Sequence, residues 1–288
     1  MVAVKALINH SPLDNKESLL LLSHASGLTK EKILANPEKP IKPSVYKKYR
    51  QLEKKRLSGW PIAYLTGHQE FYGYDFLVSP AVLIPRPETE MVVDTAISLF
   101  NESFYDQVID IGCGSGAIII SLNRELKRLQ PKLFNKINFY AVDISAPALK
   151  IAKKNVSINK AARSISLKNG DLLKPFLTEL KKTDCRRILI TANLPYLTPR
   201  QIGASPSIQK EPRLALDGGY DGLNLYRRLL KQAGQLEKTL SMILELDPAQ
   251  DKKIIDLTTE ILPGSTTKII LDLSGQKRFA LITKKAPV

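Results

Sequence analysis

Cysteine is scarce in this sequence of 288 residues, and histidine nearly as scarce. The two cysteines, Cys113 and Cys185, form no metal-type pair and imply no disulfide framework. His10, His24 and His68 share no ligand spacing, so no metal site is expected. No apolar run approaches the ~20 residues of a membrane span. The stretch from Met1 to His10 lacks a signal-peptide core and cleavage site. The expectation is a cytoplasmic protein with no membrane association. Internal repeats and low-complexity tracts are missing too. Acidic residues are outnumbered: 43 Lys and Arg stand against 28 Asp and Glu, a net charge of +15. Such a surface favours acidic partners and nucleic acid. It equally suits a solvated lysine-rich surface, since the basic residues are spread along the chain rather than packed in one tail.

What is there begins with helices. Asp14 with Glu17 predicts a capping box ahead of an apolar run at 19–22, with a stop at Gly27. Thr29 predicts the cap of a second short helix. Tyr46, Tyr49, Leu52 and Leu57 lie on one side of a third, ended by Gly59 and Pro61. Alternation and glycine spacing from Tyr64 to Gly73 and at 76–78 predict a hairpin linker. Pro87 then opens a helix running to about Phe100, with Glu88 and Glu90 at its positive end. From Val108 the pattern turns to strand–helix alternation. Strands are expected at 108–111, 137–142, 165–167, 187–191 and 240–246, followed by an antiparallel pair at 268–273 and 278–283.

Three places carry chemistry. Asp110-Ile111-Gly112-Cys113-Gly114-Ser115-Gly116 is a glycine loop between strand and helix, where backbone approaches a ligand closely. Its alternating glycines depart from the dinucleotide fingerprint, and no P-loop lysine follows. The loop looks like one that binds S-adenosylmethionine (AdoMet). Cys113 reads as a small loop filler. Asp143 ends the next strand, where a carboxylate accepts both hydroxyls of a ribose. Asp171 suits an adenine amino group, with Leu172 packing near the ring; it suits a helix or turn cap equally well. Asn193-Leu194-Pro195-Tyr196 follows a buried strand. An amide nitrogen is a poor nucleophile, and methylating it requires acceptors for its two N–H groups. The Asn193 side-chain oxygen and the Leu194 carbonyl supply such acceptors, Pro195 adds no competing N–H, and Tyr196 packs on a planar target.

These residues carry a resemblance. Ile84-Pro-Arg-Pro-Glu-Thr-Glu90, the 110–116 loop, Ala141-Val-Asp-Ile-Ser145, Asn193-Leu-Pro-Tyr196, Glu211-Pro-Arg-Leu-Ala-Leu216 and Gly218-Gly-Tyr-Asp-Gly222 follow the order of the HemK/PrmC family. The likeness extends over nearly the whole chain. It implies an α/β fold: a Rossmann-like class I AdoMet methyltransferase domain with a mostly parallel seven-stranded sheet, behind a small N-terminal helical bundle. The expected domains are 1–66 for recognition of the substrate, 67–83 as hairpin linker and 84–288 for methyl transfer. The implied reaction methylates N5 of the glutamine in the Gly-Gly-Gln loop of peptide chain release factors, in translation termination. AdoMet is implied at Asp110, Gly112 to Gly116, Asp143, Asp171, Leu172 and Asn193; the substrate glutamine is implied at Asn193, Leu194, Pro195 and Tyr196. A monomer without stable nucleic-acid binding is expected. Other readings are methylation of a ribosomal-protein glutamine, of a nucleic-acid adenine at N6, or an inactive AdoMet-binding module. Three residues depart from the family pattern. Leu194 replaces the usual first proline of Asn-Pro-Pro-Tyr, Ile188 a common acidic residue, and Asp247 a common glycine. The segment between Gly116 and Asp143 is also longer and more basic.

Overall fold

The computed structural model describes residues 2–161 and 165–287. They form two compact units, one up to residue 68 with 206–210, the other 69–205 with 211 onward.

The first unit is helical: Val4–Asn9, Asn15–Ser26, Lys30–Leu34, Pro43–Leu57 and Ile62–Thr66. Leu21, Leu22, Ile33 and Tyr49 are buried at its centre. The Asp14 side chain accepts the Glu17 N–H, as expected of an N-cap. The Glu17 carboxylate does not return to close a box; it takes the Arg56 guanidinium instead, trading a local bond for one between helices. Gly27 ends this helix in the left-handed conformation. The helix Val4–Asn9 was not expected, and no side chain caps its start. Tyr64 to Thr66, expected in the hairpin, are helical, and Gly67 terminates that turn. The hairpin itself begins later, as β1 (His68–Phe71) and β2 (Tyr74–Leu77).

The second unit holds a seven-stranded sheet: β3 (Gln107–Ile111), β4 (Asn138–Asp143), β5 (Ile165–Asn169), β6 (Arg187–Ala192), β7 (Thr239–Glu245), β8 (Thr266–Leu271) and β9 (Lys277–Lys284). The spatial order is β5-β4-β3-β6-β7-β9-β8. The first five are parallel, and β9 runs antiparallel to both of its neighbours. This is the mostly parallel sheet expected. Alternate residues of one strand feed two different cores. Ile109 and Ile111 join the cluster with Tyr226 and Leu229 of the helix Asn224–Gly234. Val108 joins the cluster with Val93 of Glu90–Glu102 and Ile119 of Ala117–Leu129. A strand buried on both faces reads as a continuous apolar run, which is why β3 and β6 stood out in the sequence. The hairpin packs into the second cluster through Phe71 and Phe76. Asn155, fully buried, accepts the Leu77 N–H and donates to the carbonyls of Leu77 and Ser115. It thereby ties hairpin, helix and glycine loop together.

Candidate active site

The chain winds from β3 outward to β5, then returns to place β6 on the other side of β3. At such a reversal the loops leaving adjacent strands part and open a crevice. A cavity of about 260 Å³ lies there.

One wall is the glycine loop after β3. Gly112, Cys113, Gly114 and Ser115 line the cavity. Gly112 has φ +70°, and a Cβ there would come 2.8 Å from Leu194 Cδ2. A side chain here would be strained by that backbone angle and would displace the Leu194 tip. Asp143, at the end of β4, holds the loop: its two oxygens accept the N–H groups of Gly114 and Ser145, each at 2.8 Å. Each carboxylate oxygen keeps a further lone pair for a ligand. Burial pushes the Asp143 carboxyl above its ordinary range. Cys113 is buried and its thiol pushed well up by burial, which suits a filler rather than a nucleophile.

Asp110 and Gly116 are not among the cavity-lining residues. Asp110 is 1% exposed. Its Oδ1 accepts the Thr191 hydroxyl at 2.8 Å. Its Oδ2 is buried without a hydrogen bond, the Ile119 N–H lying only near enough to ease the charge. Burial and the neighbouring Asp143 raise its pKa to about 7.

Asp171 and Leu172 line the far end. Leu172 adopts φ +54°, a strained conformation for a leucine. Asp171 pairs with Arg228 and Lys174, and these cations lower its pKa against the opposing effect of burial. It is thus held as an acceptor.

Asn193, Leu194 and Pro195 line the wall opposite the glycine loop; Tyr196 sits behind them and does not line the cavity. The Leu194 N–H, which a proline lacks, donates to the Tyr226 hydroxyl at 3.2 Å. The one Tyr226 proton goes to the Glu245 carbonyl, its nearest acceptor, while the Leu194 carbonyl lies 3.4 Å away. That carbonyl therefore keeps its lone pairs available. The Asn193 amide donates to Thr89 Oγ1 at 3.1 Å, the Thr89 hydroxyl donates to Glu245 Oε2 at 2.7 Å, and the Tyr196 hydroxyl donates to Glu245 Oε1 at 3.2 Å. Glu245 is 2% exposed, and burial raises its pKa to about 7 against the pull of Thr89, Tyr196 and Arg278. Burial and the Glu245 charge push the Tyr196 phenol up.

The sequence did not single out Thr89, Glu245, Tyr226, Arg86 or Glu211 for a role. Arg86 and the Ile84 N–H both bind the buried Glu211 carboxylate, so the Pro-Arg-Pro-Glu-Thr-Glu run is pinned by the Glu-Pro-Arg-Leu segment. A signal existed for Glu245: it is the one charged residue of its strand and closes the apolar run 242–244. Asp247, the departure from glycine, caps the turn Pro248–Gln250 and accepts from Gln201 at 2.9 Å. Ile188 is fully buried in β6. In the longer basic segment, Arg128 pairs with Glu125 and Arg124 lies over the Tyr74 ring.

AdoMet is a cation with a ribose diol and an adenine. The loop backbone, the free lone pairs of Asp143 and the apolar Leu172, all lining the cavity, fit those features. No lysine cradles a phosphate in the loop.

Two family models match the chain. The PrmC N-terminal domain matches residues 2–67 and a methyltransferase domain matches 105–236. The release factor glutamine methyltransferase of Moorella thermoacetica is 36% identical over 271 residues, 93% of this chain and 91% of that protein. The enzyme of the same name from Bacillus subtilis is 32% identical over 280 residues, covering 94% and 92%. Among solved structures, human methyltransferase 10 domain containing protein aligns with a TM-score of 0.53 at 19% identity, over 83% of this chain and 98% of that one. This likeness shows the Rossmann-like class I methyltransferase fold.

Proposed function

The chain belongs to the release factor glutamine methyltransferases, and on that premise we propose that it transfers a methyl group from AdoMet to N5 of the glutamine in the Gly-Gly-Gln loop of a peptide chain release factor. The observation that carries the reading is the Asn193 amide, tethered through its nitrogen so that its oxygen is left to accept from a substrate.

Gly112 to Ser115, Asp143, Asp171 and Leu172 would hold AdoMet, and Asp110, raised to about 7, would add partial negative charge beneath the loop. When bound, AdoMet supplies an electrophilic methyl group on a cationic sulfur. Asn193 Oδ1 and the Leu194 carbonyl accept the two N–H groups of the substrate amide. Donating both protons raises electron density on the nitrogen and fixes the direction of its lone pair. Pro195 stiffens the turn, and Tyr196 braces it from behind through Glu245. On accepting the methyl group that AdoMet would supply, with the electron pair of the broken bond left on the donor, N5 would release its surplus proton to water.

Residues 1–66 serve as the module that recognises the release factor, 67–83 connect, and 84–288 carry out transfer. The match of the PrmC N-terminal domain to residues 2–67 supports the first assignment. The enzyme works as a cytoplasmic monomer with no stable hold on nucleic acid.

The test is transfer from labelled AdoMet to purified release factor, comparing the natural chain with Asn193→Ala and locating the label by peptide mass spectrometry. We expect methyl on the Gly-Gly-Gln glutamine and a rate lower by roughly 100-fold or more in the variant. Binding of AdoMet with no label on the factor would overturn the reading.

A further inference from the structure

We propose that Thr89 and Glu245 are positioning residues that lock the Asn193 side-chain amide with its oxygen toward the cavity, and so set the preference for an amide over a carboxylate at the methyl-accepting position. The inference rests on the glutamine reading above. It follows from proton bookkeeping along three groups. A threonine hydroxyl has one proton to give. Thr89 Oγ1 lies 2.7 Å from Glu245 Oε2, and both residues are buried. Above a pH of about 7 the Glu245 carboxyl is ionised and only accepts, so the proton is committed there. What Thr89 shows Asn193, 3.1 Å away, is a lone pair. Only the NH2 end of the amide satisfies it. Turning the amide by 180° would set its carbonyl oxygen against that lone pair, in a partly buried place where an unmade hydrogen bond is costly.

Glu245 is fixed in turn. Its other oxygen accepts the Tyr196 hydroxyl and its backbone carbonyl accepts the Tyr226 hydroxyl. The relay therefore converts a buried negative charge at the end of β7 into a defined orientation of an uncharged side chain at the cavity wall. With Asn193 Oδ1 outward, a glutamine amide finds an acceptor for its N–H. A glutamate carboxylate of equal size finds an acceptor facing its own lone pairs. This is discrimination by mismatch against the wrong group as well as by match to the right one.

The experiment uses the full chain and purified release factor, with a second release factor whose Gly-Gly-Gln glutamine is changed to glutamate as competitor. Thr89→Val removes the relay while keeping the side chain's shape; Thr89→Ser restores the hydroxyl; Glu245→Leu frees the Thr89 proton to point at Asn193. We expect kcat to fall on the order of 100-fold in Thr89→Val and Glu245→Leu, with AdoMet affinity unchanged. Thr89→Ser should recover most of the rate. The glutamate factor should inhibit both relay variants more strongly than it inhibits the natural chain. A Thr89→Val enzyme with undiminished kcat, or with the natural chain's weak inhibition by the glutamate factor, would overturn the proposal. Should Glu245→Leu fail to fold, the Val and Ser pair decides alone. If the natural chain methylates no release factor, the glutamine reading fails first and takes this inference with it; if it does and Thr89→Val matches it, only the relay fails.

Discussion

Asp110 and Glu245 are carboxyls buried in one sheet, on β3 and β7, each raised to about 7 chiefly by desolvation. Their ordinary values are 3.8 and 4.5. Between those values and about 7 the folded chain holds protons that the unfolded chain has lost. Their contribution to stability is therefore complete below the ordinary values and disappears as pH rises through about 7. Thermal unfolding should accordingly show a lower midpoint at pH 8 than at pH 5.5. Asp110→Asn and Glu245→Gln should each flatten that slope. At this scale the sequence was informative wherever chemistry is local. The glycine loop, Asp143 and the Asn193 motif announce themselves within a few residues. Thr89 and Glu245 do not, since their hydroxyl and carboxyl meet across 156 positions, and no spacing rule reaches that far.

Elements act here as supports for one turn. Gly222, at φ +73°, leaves room for the Tyr196 carbonyl, which a Cβ would approach to 2.1 Å. Gln250 donates to that same carbonyl and to that of Asp221. Behind Leu194 stands Tyr226, whose hydroxyl serves one buried N–H and one buried carbonyl. Tyr226→Phe orphans both and should cost about 1–3 kcal/mol for each group left unpaired, read by urea denaturation, with transfer activity reduced alongside. Asp247→Ala removes the cap of Pro248–Gln250 and an acceptor for Gln201; a loss of about 1 kcal/mol is expected. The long strand–helix alternation was legible because strands buried on both faces are continuous apolar runs. Of the short helices, Lys30–Leu34 was legible from its Thr29 cap; others were not. Val4–Asn9 has six residues and no side-chain cap. In Ile62–Thr66 the β-favouring Ile62, Tyr64 and Thr66 imitate a strand, and packing overrides their preference.

The basic residues behind the net charge of +15 are spread along the chain rather than gathered in one tail. Diffuse charge of this kind acts mainly on encounter rates and is screened over about 10 Å at 0.1 M salt. The KM for an acidic protein substrate should rise as ionic strength is raised from 0.05 to about 0.5 M, a range that shortens the screening length several-fold, while kcat stays constant. The number of strands and their mixed direction followed from composition and periodicity; the pairing order did not, because it is set by long-range packing. That order bears on biosynthesis. β9 is made after β8 yet inserts between it and β7. While a nascent chain is still short of Lys277, β7 carries an open edge whose residues from Leu240 to Glu245 are destined for the interior. An exposed apolar edge invites pairing with other chains. A transcript cut short before that strand is thus expected to yield not a weaker enzyme but an aggregating one, and the interval before β9 emerges is when a chaperone has most to do.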